Sequence, residues 1–443
     1  MSNIWQFVNK KHSVSLTIMF LLLMITSALA DTDVFKTTLP NGLTVLIKEN
    51  HTLPIVATTV LYKVGSRNEI SGKSGKAHLV EHMMFKGTEK FKKGEIYSSV
   101  QKHGGMLDAY TSEDYTYYSL SLPAKYLKIA LAIEADRMRN CVFDPMEFVS
   151  EKKVIIEERK MDLDSPFVSF RDENLKKAFK VHPYRNSITG SIEEIEGFTR
   201  EGILNFYNTY YQPNNAILVV VGDIQTDSTL KLIKKLFGQI PEGPDPPQVT
   251  IIEPEQKQEQ RLELKQRVTH PIIQVLFHVP PNDTKDSYAL QVLDYILTGG
   301  ENSRLIKKLV KEQPIFTFIG SSYYESLDPY IYSITAELKE GVSSQKAEAD
   351  LFNEIDSLKQ DPPLKHEIKG AKNQLEMGAL FLQESINDQA ELLATTEFFY
   401  GIEQLQKYAQ EIESITREDV QRVAQKYLVK KNRTVGWLLP RDK

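Results

Sequence analysis

Residues 198–223, "FTREGILNFYNTYYQPNNAILVVVGD", return 217 positions later as "ITREDVQRVAQKYLVKKNRTVGWLLP", residues 415–440. Thr199 matches Thr416, Arg200 matches Arg417, Tyr210 matches Tyr427 and Asn215 matches Asn432, all at that one offset. In each copy a threonine suited to an N-cap opens an amphipathic helix, and the chain then enters an apolar strand. Composition alone does not produce shared spacing of this kind. The chain reads as an α+β protein made of two tandem homologous α/β units. Each is expected to carry a mostly antiparallel sheet covered by helices, the two facing each other as a clamshell.

Length agrees, since 443 residues exceed what one hydrophobic core usually organises. The segment "GQIPEGPDPPQVTIIEPEQKQEQ" (Gly238–Gln260) is dense in Pro, Gly and charge, a linker composition. It sets the expected division: residues 31–240 as the first unit, 241–262 as linker, 263–443 as the second. With 41% hydrophobic and 26% charged residues, the chain can bury a large core. A formal net charge of -5 leaves no basic footprint, which argues against nucleic acid as a partner.

Residues 1–30 differ from the rest. Lys10 and Lys11 precede the apolar run "SVSLTIMFLLLMITSALA", which ends in Ala28-Leu29-Ala30 before a polar stretch. A basic start, an apolar middle and small residues at a cleavage point describe a secretory signal. The alternative is an uncleaved membrane tether. Export from a bacterial cell would make the compartment periplasmic. Cys141 is the only cysteine, so no internal disulfide can form, and its apolar neighbour Val142 suggests a packed thiol.

The first unit holds polar chemistry that the second lacks. In "AHLVEHMMFKGT" (Ala77–Thr88), His78 and His82 stand four residues apart with Glu81 directly before the second. The segment from Ala77 to Phe85 reads as helix, closed by Gly87. Positions i and i+4 share a face, so two imidazoles can aim at one point, with Glu81 close beside them. Two nitrogens, a third ligand from elsewhere and a position left for water make a catalytic zinc site. At the corresponding place the second unit has Leu290, Leu293 and Asp294 in "YALQVLDYILTGGENSRL". One copy kept polar groups, the other kept packing.

A third ligand is offered by "DPMEFVSEKKVIIEERKM" (Asp144–Met161), with Asp144 as N-cap and Pro145 at the first helical position. Glu151 and Glu158 are two turns apart and share a face. Val154 and Ile155 lie between them, which predicts at least partial burial. A buried carboxylate needs a partner, and zinc would be one. Glu157 is the rival ligand but points more than a quarter-turn from Glu151.

His-x-x-Glu-His, followed by Glu-x6-Glu, resembles the inverzincin peptidases of the pitrilysin/insulysin family. It is similar above all to the short bacterial branch related to the mitochondrial processing peptidase beta subunit. The likeness extends through "GGMLDAYTSEDYTYYSLSLP", "IEADRMRN", "HPYRNSITG" and "GGENSRLIKKLVKE". The resemblance implies one Zn2+ per chain on His78, His82 and Glu158, with Glu81 as general base and Glu151 orienting the site. It also implies hydrolysis of extended peptides or unfolded protein segments. Peptide would be held by an edge strand through Asp108, Ala109, Tyr110 and Thr111.

Two positions depart from that pattern. Asp108 stands where the family usually has Asn, and an ionised acid cannot donate a hydrogen bond. The Arg and Tyr that active single-chain relatives bring from the second unit fall at Leu309 and Phe316, neither of which can donate to an oxyanion. Arg304 reads as a packing and capping residue instead, and Tyr323 and Tyr324 are out of register. The expected partner is therefore a related subunit that supplies both groups, in a heterodimer or a homodimer. The contrasting expectation is a non-catalytic, zinc-holding assembly or binding subunit of a peptidase complex.

Overall fold

The computed structural model describes residues 34–441, apart from residues 71 and 283. The expected signal segment, residues 1–30, lies outside the described residues. Among the described residues no helix is long and apolar enough to cross a membrane.

Alternating and continuous apolar runs become strands of two sheets. The first contains β1 (Val34–Thr38), β2 (Thr44–Glu49), β3 (Ile55–Tyr62), β4 (Met106–Thr111), β5 (Thr116–Pro123) and β6 (Ala216–Gly222), in the order β1-β2-β6-β3-β5-β4. The second contains β7 (Gln260–Gln266), β8 (Ile272–Val279), β9 (Phe316–Tyr323), β10 (Tyr330–Leu338) and β11 (Arg433–Pro440), in the order β7-β11-β8-β10-β9. In each sheet a single pair is parallel, β2 with β6 and β7 with β11. Apart from the added β1, the two sheets have the same order and the same mixed pairing. Both are mostly antiparallel, as the repeat implied.

The helices that matter for the site and its setting are α1 (Lys76–Met83), α2 (Pro145–Asp164), α3 (Pro166–Ala178) and α4 (Arg200–Tyr210) in the first half. In the second half they are α5 (Lys285–Thr298), α6 (Lys365–Phe381), α7 (Ile386–Phe399) and α8 (Arg417–Tyr427). The repeated residues make repeated contacts. Thr199 caps α4 by accepting from the Gly202 amide, and Thr416 caps α8 by accepting from that of Asp419, each at 3.1 Å. Asn215 donates to the Tyr210 carbonyl and Asn432 to that of Tyr427, each at 2.8 Å. Arg200 donates to the Phe143 carbonyl and Arg417 to that of Pro363, just ahead of α2 and α6. Counted from those carbonyls, Glu151 and Glu158 of α2 correspond to Ala371 and Gly378 of α6.

The halves exchange helices. Strand β6 is buried on both faces, which is why it reads as an unbroken apolar run. Leu218 and Val220 face the first half's own core, whereas Ile217, Val219 and Val221 meet Ala390, Leu393 and Ala394 of α7. Reciprocally, α3 lies on the second sheet. There a Cβ at Gly436 would come within 2.8 Å of Asn174 and Phe170, and Asn174 donates to the Gln274 side chain at 3.1 Å. Tyr330 to Glu113 (2.9 Å) and Arg67 to Asp328 (2.5 Å) bond the halves further.

Strand β7 begins at Gln260, three residues inside the span expected as linker. Its sequence "QRLELKQ" carries charge because it is an edge strand with one face toward water. Polar composition alone does not separate such a strand from a linker.

Candidate metal centre

Helix α1 starts where the Glu69 carboxylate, buried at its N-terminal end, accepts from the amides of Gly75 and Ala77 at 2.7 Å each. Gly75 has φ 101°, and a Cβ there would meet the Thr189 carbonyl oxygen at 2.4 Å. Leu79, Val80 and Met83 are fully buried and pin one side of α1 to the core. His78, Glu81 and His82 are left on the side facing α2 and β4. The helix ends at Met83 rather than Phe85, and Gly87 follows with φ 131°.

Helix α2 is capped as its sequence indicates: the Asp144 carboxylate accepts from the amides of Met146 and Glu147, with Pro145 in the first turn. Glu151 is 4% exposed and Ile155 fully buried. Val154, expected to share that buried face, is instead 41% exposed. It lies on the opposite side of the Glu151–Glu158 line from Ile155, and only the Ile155 side meets the core. Glu157 is exposed and pairs with Lys160 at 2.8 Å, away from the histidines.

The side chains of His78, His82 and Glu158 converge, each offering a ligand atom within 4.8 Å of the others. His82 Nε2 and Glu158 Oε2 are 3.6 Å apart. Two ligand atoms about 2.1 Å from one tetrahedral zinc would be separated by about 3.4 Å. The other nitrogen of His82, Nδ1, lies 3.2 Å from Glu151 Oε2, and Lys86 Nζ is 2.8 Å from Glu151 Oε1. This pairing turns Nε2 toward Glu158, as a ligating histidine requires. Lys86 was not singled out in the sequence, although it lies one turn beyond His82, within reach of the same helix.

The electrostatics favour a cation. Burial and the neighbouring His82 push the His78 imidazole down to about 3, which keeps it in the neutral form a metal needs. Among the described residues its buried Nδ1 has no hydrogen-bond partner. Burial opposes the charging of His82, but the Glu151 bond and the nearby charges of Glu158 and Glu81 outweigh it and raise its pKa. Burial raises Glu81, against the Thr111 hydrogen bond. Glu151 moves the other way, lowered because bonds from His82 and Lys86 overcome its burial. Burial and hydrogen bonding thus move these two neighbouring carboxylates in opposite directions. Three carboxylates facing one lysine and two histidines suit a divalent ion, and the donor set fits zinc.

Among the described residues strand β4 is an edge, paired only with β5. Thr111 donates its hydroxyl to Glu81 Oε2 at 2.5 Å, so its side chain is directed to Glu81. With strand alternation this puts Ala109 and Thr111 on the metal side, and Asp108 and Tyr110 on the other. The Asp108 carboxylate accepts from the Ala109 amide at 2.9 Å, and the Tyr110 ring lies 6.0 Å from that of Tyr117.

In the second half, Leu290 and Leu293 are fully buried, and Asp294 accepts from Ser321. Leu309 and Phe316 are each 1% exposed inside that half's core. Arg304 makes a two-pronged pair with Glu367 at 2.7 and 2.8 Å, and Glu367 also accepts from the Leu364 amide at the start of α6. Tyr324 is exposed and, with Tyr110 and Glu113, lines a cavity of about 300 Å³ between the halves. Tyr323 is half-buried and donates to Asn282 at 3.3 Å. Cys141 is buried with its thiol pushed up to about 12 by burial, which leaves no nucleophile there.

Residues 44–191 match the family description "Insulinase (Peptidase family M16)", and residues 197–375 match "Peptidase M16 inactive domain". Zinc protease PqqE of Helicobacter pylori is 30% identical over 409 residues, covering 91% of this chain and 92% of that protein. The crystal structure of a protease from Helicobacter pylori superposes with a TM-score of 0.88 at 29% identity, over 92% of this chain and all of the other. The periplasmic protease PqqL of Escherichia coli shares the fold at 20% identity and a TM-score of 0.77; 93% of this chain covers 48% of PqqL. A duplicated α+β fold, a His-His-Glu cluster beside a glutamate, and a 30%-identical relative over nine-tenths of the length make this chain a member of peptidase family M16.

Proposed function

We propose that the chain is a zinc endopeptidase acting on extended peptides or unfolded protein segments. The observation that carries this is the convergence of His78, His82 and Glu158 beside Glu81, whose carboxylate is steadied by Thr111. His78, His82 and Glu158 would hold one zinc ion per chain. Bound there, zinc would supply Lewis acidity, acidifying a water and drawing charge from a peptide carbonyl.

The chain's own groups do the rest. Glu81, with its raised proton affinity, accepts a proton from the attacking water and returns it to the leaving amine. Glu151 holds the His82 ring in register and is itself kept anionic by Lys86. The free edge of β4 accepts the substrate backbone as an added strand, a mode that tolerates many sequences. Leu309 and Phe316, sealed in a core, supply no oxyanion donor. A homologous partner subunit supplies it, in keeping with PqqL, whose chain is about twice as long as this one. Residues 1–30 direct the protein across the inner membrane.

The second reading, a zinc-holding subunit without turnover, is favoured by those same buried side chains. Glu81→Gln separates the two. In the peptidase, hydrolysis of a flexible peptide, assayed with a partner chain, falls by 10²–10⁴-fold while zinc content by metal analysis is unchanged. If the parent hydrolyses no better than Glu81→Gln, the second reading stands. His82→Ala should remove the zinc itself.

A further inference from the structure

Among the described residues strand β4 has one edge on β5 and one edge free, and its backbone bonds can be assigned. The amide of Ser112 donates to the Tyr115 carbonyl at 2.8 Å, at the end of the β4–β5 hairpin. In an antiparallel ladder, bonded pairs alternate with unbonded ones. Counting back along the register, Tyr110↔Tyr117, Asp108↔Ser119 and Met106↔Ser121 are the bonded pairs. Leu107, Ala109 and Thr111 therefore turn their amides and carbonyls to the free edge. Of these, Ala109 is the central one, and its amide is already taken: Asp108 Oδ1 accepts from it at 2.9 Å.

We propose that Asp108 is a built-in competitor for peptide, its carboxylate occupying the edge amide that an added strand must use. This rests on the reading of β4 as the peptide-binding edge and goes beyond it, because it makes residue 108 a determinant of affinity rather than a contact to substrate. A substrate carbonyl must displace a charged acceptor, and hydrogen bonds to charged acceptors are stronger than neutral ones. The carboxylate also sets negative charge beside the incoming carbonyl oxygen and offers no donor in return. Its side chain lies on the face away from the metal, so its removal leaves the His78–His82–Glu158 cluster untouched.

The test uses full-length, zinc-loaded Glu81→Gln protein, which cannot consume the probe. Binding of a fluorescein-labelled, uncharged ten-residue peptide is followed by anisotropy. Adding Asp108→Ala should tighten binding about fivefold, the factor equivalent to about 1 kcal/mol of competing hydrogen bond. Asp108→Asn, which keeps a weaker neutral acceptor, should fall between. Without peptide, hydrogen exchange over residues 107–111 should be faster in Asp108→Ala than in the parent, because the Ala109 amide has lost its acceptor. Equal or weaker peptide binding by Asp108→Ala overturns the competitor. Exchange that does not change overturns the hydrogen bond on which it depends. If zinc-loaded Glu81→Gln binds no peptide with either residue at 108, the peptide-binding role of β4 falls and the competitor with it.

Discussion

At the scale of single residues, a chain of contacts runs one layer deeper than the His78–His82–Glu158 cluster. Lys86 bonds Glu151, Glu151 bonds His82, and His82 faces Glu158. Glu151 is 4% exposed, so without a cationic partner its charge would be costly. Replacing it with Gln keeps the shape but removes the charge that orients His82. Zinc affinity of Glu151→Gln, measured by chelator competition, should fall 10–100-fold with little change in melting temperature. Unaltered affinity would mean that Glu151 does not orient the ligand. Thr111 has a comparable place on the other side, since its hydroxyl meets Glu81. That bond uses only the side chain, and the Thr111 backbone stays on the outer edge of β4.

At the scale of elements, the repeated strand–helix unit is held by an asparagine in each half. Asn215 donates to the Tyr210 carbonyl and, at 3.4 Å, to that of Lys63; Asn432 donates to the carbonyls of Tyr427 and His278, both at 2.8 Å. Each ties the end of a helix to the start of a central strand and to the neighbouring strand. Asn215→Ala and Asn432→Ala should each lower stability by about 1–3 kcal/mol in urea unfolding, through carbonyls left without a donor. A large loss in one and none in the other would break the equivalence of the halves. The same equivalence accounts for the silence of the second half. Ala371 and Gly378 stand where Glu151 and Glu158 do, and apolar α5 replaces the histidine helix.

At the scale of the whole molecule, the exchange of α3 and α7 makes the two halves one body. Leu393 of α7 is 2% exposed against Ile217, Val219 and Val221 of the first sheet. It belongs to the second half by sequence and to the first by packing. Leu393→Ala should cost about 2–5 kcal/mol, as for other large-to-small changes in a core. The loss should appear in the signals of both halves at once, measured by hydrogen exchange on β6 and on β8. Loss confined to the second half would show that the helix does not support the first sheet. Leu309 and Phe316 are packed inside the second half's own core, out of reach of a substrate. The case for a donor from another chain therefore rests on packing as well as on residue type.

What could be read from the sequence was periodic and local. The offset of 217 residues announced the duplication, because equal spacing of caps, helices and strands is written along the chain. The spacings of His78 to His82 and of Glu151 to Glu158 announced two helix faces, because 3.6 residues per turn is a property of the backbone alone. Tertiary structure decided which side of each face is buried, as Val154 shows. It also decided that a carboxylate would fill the free amide of β4, that Lys86 would reach Glu151, and that each half would lend a helix to the other's sheet. These are contacts between segments remote in sequence or side chains choosing among nearby partners, and no local period encodes them.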